Sequence, residues 1–507
     1  MAHLGAGRGE RMMLAGLVGL TLLAALAFIW QLVMPQVVIV GPLTIDRLGA
    51  LMALLVSGIG TVTYRFALRY LAGEPGQRRF LRWLAATVVA ALLLMLTTHL
   101  LALFAAWFFV SIGLHRLLLF YSERREAQRP ARKKFLISRL GDLALLGAIG
   151  VIWVGWGTFD LHVFLARLAS DPQPALARAA ALLLVGAALT KAAQFPFHSW
   201  LPETMEAPTP VSALMHAGII NAGGVLLLRF APLLNTQAQA LLLLTLFGTI
   251  TMAFGTLVMW MQPDIKRTLA WSTVSQMGFM MVQIGLAAFP AAALHIVGHG
   301  CYKAWSFLRS GDLPPARAVQ PAIAPRRALA LGALGSACAV PALWLAAQIS
   351  GFDPLHSPGE LALAAIVALA IGQLWVALLG RNTSATYLLA TLLLTGATAL
   401  LAFGLYQSAA LYLAPVIGTL PVARGPLAWL AALLPVLATV VLIILHAYLP
   451  TLVQIARGRA FRIHALNGFY IGTLANRLVD VVWQQKPQSR SVPAISSAFA
   501  PARGEHD

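Results

Sequence analysis

Charged residues are scarce in this sequence, where Asp, Glu, Lys and Arg together make up 10% of 507 residues. A soluble domain carries about 25%, so this chain has too little charge to cover the surface of a soluble protein of its length. Apolar residues make up 59%. They form runs longer than the roughly 18 residues that cross a hydrocarbon core, for example at 12–34, 85–114, 241–261 and 427–449. These runs predict an all-α, polytopic transmembrane protein that lies in a lipid bilayer.

Cysteine is also rare, and Cys301 and Cys338 lie far apart in apolar segments. No CxxC and no Cys/His ligand spacing occurs, which argues against an iron–sulfur cluster or a structural zinc held by this chain alone. No glycine-rich dinucleotide motif follows a strand pattern either. We therefore expect no cofactor and no metal in this chain, and we expect it not to be an enzyme.

About 14 membrane-spanning helices are predicted from the apolar runs. The first run follows Arg8 and Arg11, as in a signal peptide. It exceeds 20 residues and ends without a small-x-small cleavage site, so we interpret it as a transmembrane helix. The predicted spans are 12–34, 46–70, 82–98, 99–121, 135–156, 176–197, 208–231, 238–261, 268–287, 290–309, 328–349, 360–379, 384–406 and 427–449.

Basic residues are concentrated on one side of the predicted membrane. With a cytoplasmic N-terminus, the cytoplasmic loops and both termini hold about 25 of the 36 Lys and Arg, whereas the opposite loops hold about 2, Arg167 and Arg424. The positive-inside rule therefore predicts that both termini are cytoplasmic. We also expect the chain to lie in a bacterial inner membrane. This distribution explains the net charge of +19, so we expect no nucleic-acid partner.

The densest basic patch lies at 122–134 and has two interpretations. It is a loop that sets the topology and contacts anionic lipid, or it is a docking surface for a soluble partner. The tail at 450–507 is polar and ends in a Pro/Ser/Ala-rich stretch, which predicts partial disorder there.

Lys191 lies deep in an apolar segment, where an ionisable group costs at least about 2.5–3.5 kcal/mol. It is too deep to be a charge that sets the topology. A buried amine can load and release a proton, which makes Lys191 a candidate for a proton path. The alternative is that its long side chain extends to the membrane surface.

His216 follows Pro208 and Pro210 and precedes Gly218 and Asn221, a pattern that predicts a broken helix. Irregular backbone at membrane depth survives only against protein or a water-filled cavity. Broken helices near the bilayer centre are typical of ion sites in transporters. The alternative is a packing kink with a hydrogen-bonded histidine.

His295, His299 and Lys303 follow one another at intervals of four residues, so a helix places them on one face. Histidine titrates near physiological pH, and such a stripe suits proton transfer through water. A metal held by His295 and His299 is an alternative, although no carboxylate or third ligand lies nearby in sequence. A structural hydrogen-bonding role is another.

Asp142 also has two interpretations. It follows Arg139 by three residues and can pair with it on the helix surface. It is also the carboxylate in the first half of the chain that is best placed to balance Lys191. Glu203 and Glu206, in the short loop before the broken helix, suggest an access mouth or a helix N-terminal role.

Three separated blocks, 191–216, 264–278 and 295–303, resemble the proton-translocating antiporter-like family. This family includes the large membrane subunits of respiratory complex I, the large subunits of multisubunit Na+/H+ antiporters, and the membrane subunit of DabB-type inorganic-carbon pumps. The resemblance covers residues from about 95 to 350.

The resemblance implies inverted repeats, each with a broken helix, and a proton path of lysine, histidine and carboxylate groups. It identifies Lys191 with the channel lysine of the first repeat and His216 with the broken-helix histidine. It identifies His295, His299 and Lys303 with the central connecting axis. Asp142 falls in a block that carries an acidic residue in the family.

With this resemblance the chain divides into five regions. They are 1–134 (N-terminal transmembrane helices and basic loop), 135–261 (first antiporter-like repeat core with its broken helix), 262–406 (second, degenerate repeat), 407–449 (final transmembrane region) and 450–507 (cytoplasmic tail).

Two departures from the family pattern favour the DabB-type subunit. Val110 stands where complex I and antiporter subunits carry a glutamate, and Gln348 stands where a second channel lysine is expected. The resemblance then implies a cation-translocating subunit of a CO2/bicarbonate uptake complex. Its partner would be a cytoplasmic zinc protein resembling a β-carbonic anhydrase (DabA-type), which would hold the zinc.

Two alternatives remain open from the sequence. The chain could be a subunit of complex I or of a multisubunit Na+/H+ antiporter, or a structural membrane anchor with an inactive channel. The sequence leaves open whether the ion is H+ or Na+.

Overall fold

A computed structural model describes residues 7–34, 36–312, 323–418 and 420–483. Most of these residues are helical, and a single short antiparallel hairpin, β1 (Val38–Val40) paired with β2 (Leu43–Ile45), occurs among them. The first helices are α1 (Arg8–Val33), α2 (Arg47–Tyr70), α3 (Gln77–Leu96), α4 (Leu100–Leu118), α5 (Arg125–Trp156), α6 (Leu161–Ser170) and α7 (Pro174–Lys191).

The remaining helices complete the bundle and the described part of the tail. They are α8 (Thr209–Ala217), α9 (Ala222–Arg229), α10 (Ala231–Asn235), α11 (Ala238–Met259), α12 (Ile265–Gly285), α13 (Phe289–Leu308), α14 (Pro325–Ser350), α15 (Pro358–Leu379), α16 (Ala385–Ile417), α17 (Pro426–Leu452), α18 (Ala456–Leu466) and α19 (Ile471–Val482).

Twelve helical segments within the described ranges are long and apolar enough to cross a membrane, with α8 and α9 counted as one segment. α12 and α13 have 21 and 20 residues but are less apolar. These two and the twelve correspond to the predicted spans. The prediction of an all-α, polytopic transmembrane protein is therefore confirmed.

The segment 208–231 is a broken helix, as its prolines and glycines predicted. α8 ends at Ala217, Gly218 follows with φ −117° and ψ −65°, and a 3-10 turn at Ile219–Asn221 leads into α9. Every residue of α8, the turn and α9 is buried. The interrupted backbone is thus shielded from lipid, which is required of any irregular backbone inside a membrane.

Two glycines let neighbouring helices approach this broken helix closely. A Cβ atom on Gly223 would lie 2.8 Å from the Ala188 carbonyl oxygen of α7. A Cβ atom on Gly300 would lie 2.8 Å from the Ala217 carbonyl oxygen, so α13 approaches α8 just as closely. The broken helix is therefore packed between α7, which carries Lys191, and α13, which carries His295, His299 and Lys303.

The buried apolar side chains form two main clusters that divide after α13. The larger cluster draws on α1 to α13 and on the end of α16. The smaller one joins α14, α15 and α16 through residues such as Leu343, Trp375 and Phe403. α12 and α13, which sequence analysis grouped with the second repeat, contribute to the larger cluster.

The C-terminal part differs from the sequence prediction at the end of α16 and in the tail. α16 runs through the region boundary placed at residue 406. The tail forms α18 and α19, and α19 is attached to α5 by an ion pair between Arg129 and Asp480 (2.7 Å). The Pro/Ser/Ala-rich end of the tail, from residue 484, lies outside the described residues.

Candidate ion-translocation site

Lys191 ends α7, and its ammonium group lies inside the helix bundle. The Nζ atom donates a hydrogen bond to the carbonyl oxygen of Trp107 on α4 (3.2 Å). It also lies 4.2 Å from the centroid of the Trp107 ring, at which distance the face of an indole attracts a cation. The side chain is therefore held by α4 and does not extend to a membrane surface.

Asp142 pairs with Arg139, at 2.7 Å between carboxylate and guanidinium. Its Oδ1 atom accepts a hydrogen bond from Trp107 Nε1 (3.0 Å). No ion pair within 4.0 Å joins Asp142 to Lys191 in the described part of the chain. Of the two interpretations, the structure shows the pair with Arg139, and Trp107 lies between the carboxylate and Lys191.

The basic patch at 122–134 is not wholly a loop, because α5 begins at Arg125. α5 has 32 residues and is therefore about 48 Å long, longer than the roughly 30 Å hydrocarbon core. Its third turn places Lys133 and Lys134 in the protein interior, 2% and 4% exposed. The expectation that this patch as a whole faces lipid or solvent was wrong for these two residues.

Lys133 and Lys134 have different partners. Lys133 Nζ donates to both carboxylate oxygens of Glu203 (2.8 Å each) and to the Gly472 carbonyl oxygen (3.3 Å). Lys134 Nζ donates to the carbonyl oxygen (2.6 Å) and the hydroxyl oxygen (2.7 Å) of Ser111. Lys134 was not among the site residues predicted from the sequence, although it stands two helical turns before Asp142 on the same face of α5.

Lys134 and Lys191 line one small cavity of about 10 Å³. This volume holds roughly one water molecule. Ser111 of α4 and Met215 and Ile219 of the broken helix also line it. We call Lys134, Lys191, Ser111 and Trp107 the lysine cluster. The cavity places the broken helix against that cluster.

His216 is fully buried on α8. Its ring stacks on Phe307 of α13, with 4.4 Å between ring centroids and 22° between ring planes. Neither ring nitrogen has a hydrogen-bond partner in the described structure. Buried polar atoms nearly always have a partner, either protein or water, so the packing alternative, a histidine hydrogen-bonded to protein, finds no partner among the described residues.

His295, His299 and Lys303 lie along one groove, as their spacing predicted, and we call them the histidine stripe. The centroids of the two imidazole rings are 5.6 Å apart, and Lys303 Nζ donates to the Leu269 carbonyl oxygen of α12 (3.0 Å). The groove has a volume of about 320 Å³. Its lining residues are Ser272, Gln276, His295, Gly298, His299, Tyr302 and Lys303.

The histidine stripe lies near His216, because α13 packs against α8 and Phe307 of α13 stacks on the His216 ring. His299 is buried, and neither of its ring nitrogens has a partner among the residues described. No three His, Cys, Asp or Glu side chains in that set come together as a metal site. A metal ion bound by His295 and His299 would therefore have no third His, Cys, Asp or Glu ligand among the described residues.

The two departures from the family pattern lie in different surroundings. Val110 is fully buried in α4, next to Ser111. Gln348 is exposed on α14, which continues as a helix from Pro325 to Ser350. The position of the expected second channel lysine therefore does not face the protein interior.

The loop between α7 and α8 carries the two predicted acidic residues and a buried histidine. Glu203 pairs with Lys133, and Glu206 pairs with Arg124 (3.0 Å) at the surface. His198 is 1% exposed and lies against Phe254 and other rings. This burial lowers the pKa of His198 to about 3, so the histidine stays neutral.

Two family descriptions match the sequence. Residues 97–331 match "NADH:quinone oxidoreductase/Mrp antiporter, TM", and residues 33–81 match "NADH-Ubiquinone oxidoreductase (complex I), chain 5 N-terminus". These ranges contain all six residues of the predicted proton path, Asp142, Lys191, His216, His295, His299 and Lys303. They also contain Lys134.

Individual relatives carry transporter and oxidoreductase names. The "Probable inorganic carbon transporter subunit DabB2" of Halothiobacillus neapolitanus is 36% identical over 87% of this chain and 80% of that protein. The "Probable inorganic carbon transporter subunit DabB" of Hydrogenovibrio crunogenus is 39% identical over 61% of each chain. NADH-quinone oxidoreductase subunit L of Mycobacterium tuberculosis is 35% identical over 53% of this chain and 43% of that protein.

A solved structure has the same fold. The Mrp complex from a Dietzia species aligns over 94% of this chain and 61% of the matched chain, with a TM-score of 0.60 and 24% identity. At this identity the likeness shows the helix arrangement and nothing finer.

Proposed function

From the premise that this chain belongs to the proton-translocating antiporter-like family, we propose that it is the cation-translocating membrane subunit of an inorganic-carbon uptake complex. One observation carries the proposal: the ammonium group of Lys191 is held inside the bundle, beside a cavity that the broken helix lines. The likeness to DabB2 over 80% of that protein supports the carbon-uptake assignment.

The proposed ion is a proton, carried by titratable groups in two stages. Lys191 loads a proton at the cavity. The ion pair of Asp142 and Arg139 lies on the other side of Trp107 and influences the charge of Lys191 from there. His216 then relays the proton to the histidine stripe. His216 and His299 suit this role, because the one ring nitrogen of a neutral imidazole that can accept a proton is not occupied by a donor from the described residues in either ring.

The chemistry of carbon uptake requires a second protein. Hydration of CO2 needs a metal-activated water. Among the described residues, no three His, Cys, Asp or Glu side chains come together to hold a metal ion. We assign the zinc to a cytoplasmic partner resembling a β-carbonic anhydrase, of the DabA type. In this arrangement the chain lies in the bacterial inner membrane with both termini in the cytoplasm, and downhill proton flow favours net bicarbonate accumulation.

Replacement of Lys191 tests the proposal. Lys191→Ala should lower carbon uptake in cells at least tenfold, while the complex still assembles and co-purifies. Arg178→Ala is the matched control, because Arg178 is exposed near the other end of α7 and should leave uptake unchanged. Uptake that persists in an assembled Lys191→Ala complex would contradict the proposed role, and an anchor with an inactive channel would then account for the chain.

A second candidate is a subunit of complex I or of a multisubunit Na+/H+ antiporter. The 35% identity with subunit L and the match to the NADH:quinone oxidoreductase/Mrp antiporter description favour it. Purification from the native membrane separates the two candidates. A single co-purifying zinc protein supports carbon uptake, whereas co-purifying flavin and iron–sulfur proteins support the oxidoreductase assignment.

A further inference from the structure

Lys134 is an amine in the protein interior whose hydrogen bonds to the described residues all go to one residue. Its side chain is 4% exposed, and both of its hydrogen bonds go to Ser111, one to the carbonyl oxygen and one to the hydroxyl. An ammonium group has three donors. The adjacent Lys133 shows the contrast, since its Nζ lies 2.8 Å from each oxygen of the Glu203 carboxylate.

No carboxylate among the described residues forms an ion pair with Lys134. The carboxylate of this region, Asp142, is occupied by Arg139 and by Trp107 Nε1. No ion pair of Lys134 within 4.0 Å occurs in the described ranges. A buried cation without a partner is strongly destabilising, whereas a neutral amine that donates two hydrogen bonds to Ser111 is satisfied.

A second amine shares the cavity with Lys134. Lys191 lines the same space of about 10 Å³, which holds roughly one water molecule. Both groups are cations in their protonated form, and like charges in one site disfavour each other. The other ionisable groups around Lys134 are Arg139 and Asp142 on its own helix and His115 on α4.

We propose that Lys134 is a second proton-carrying residue that exchanges a proton with Lys191 through the cavity they share. The proposal rests on the proposed function, because it requires Lys191 to carry protons. In the exchange, the Lys134 ammonium gives a proton to the cavity water while that water gives a proton to the neutral Lys191 amine. One N–H and one O–H bond break, one O–H and one N–H bond form, the water is regenerated, and no oxidation state changes.

Two replacements of similar size distinguish a proton carrier from a structural donor. Lys134→Gln keeps an N–H donor for Ser111 but cannot titrate, whereas Lys134→His keeps a donor and titrates. Proton flux is measured against pH in proteoliposomes that contain the assembled complex. We expect Lys134→Gln to lower flux at least tenfold. Lys134→His should retain flux within about threefold, with its maximum at lower pH because imidazole titrates below an amine.

The outcomes separate this proposal from the proposed function. If wild-type flux depends on Lys191 but Lys134→Gln stays within twofold of wild type, or if Gln and His are equally impaired, Lys134 is not a carrier and the proposed function stands. If wild-type flux does not depend on Lys191, both proposals fail.

A milder variant serves if the Lys134 replacements do not assemble. Ser111→Ala removes the hydroxyl acceptor and leaves the carbonyl acceptor in place. With one acceptor fewer, the ammonium releases its proton at lower pH, so the flux maximum should move to lower pH. An unshifted profile in Ser111→Ala would overturn the proposal.

Discussion

Trp107 of the lysine cluster contacts both Lys191 and Asp142. Its carbonyl oxygen and ring face Lys191, and its indole N–H bonds to Asp142. A cation and a carboxylate are thereby coupled without touching. The sequence allows Asp142 either to pair with Arg139 or to balance Lys191, and the structure combines a direct ion pair to Arg139 with an indirect link to Lys191 through Trp107.

His216 gives a prediction at the scale of one residue. His216→Phe should preserve stacking on Phe307 and remove two buried nitrogens that have no partner. Unpartnered buried polar atoms cost about 1–3 kcal/mol, so we expect equal or higher thermal stability together with loss of proton flux. Thermal unfolding and proteoliposome flux measure the two effects, and unchanged flux would remove His216 from the path.

At the scale of elements, the broken helix depends on close packing from both sides. Gly223 admits α7 and Gly300 admits α13. This packing places the cavity wall and His216 between the lysine cluster and the histidine stripe. The order of the charged groups along the proposed path is thus a consequence of helix packing and does not follow from the separate motifs.

Gly300→Ala should separate α13 from α8, because its Cβ would lie 2.8 Å from the Ala217 carbonyl oxygen. Overpacking of this kind costs about 1–3 kcal/mol. Gly298→Ala, on the same helix, is the matched control for stability, since its Cβ would meet no atom within 4 Å. Thermal unfolding of the two variants should differ, with Gly300→Ala lower, and equal values would show that the approach is not tight.

At the scale of the whole molecule, a buried ion pair connects distant helices. Arg229, at the end of α9, pairs with Asp46, which also caps α2 by accepting from the Gly49 amide (2.6 Å). Arg229 further donates to the Met95 carbonyl oxygen of α3 (2.8 Å). The end of the broken helix is thereby fixed to α2 and α3.

Asp46→Ala should destabilise the fold by about 3–5 kcal/mol, because it leaves the Arg229 guanidinium buried without a carboxylate. Asp264→Ala is the matched control. Asp264 likewise caps a helix and pairs with an arginine, Arg267, but that pair is largely exposed, so about 1 kcal/mol should be lost with the cap. Denaturation in detergent measures both losses, and similar losses would contradict this account.

Several features could be predicted from the sequence because they depend on composition or on short spacings. Apolar runs predicted the membrane-spanning helices, and prolines and glycines around His216 predicted the break. The four-residue interval predicted that His295, His299 and Lys303 share a face. Three motif blocks predicted the family, which the comparisons confirm.

Only the tertiary structure decided which charges meet. Lys191 and Trp107 are 84 residues apart in sequence, and no local pattern relates them. In the sequence Lys134 belongs to a basic run, and such a run suggests a surface patch. Its burial depends on the helices that pack against α5, which the run does not reveal. Contacts between distant segments are set by how helices pack, so the partners of Lys134, Lys191 and Asp142 became visible only in the folded chain.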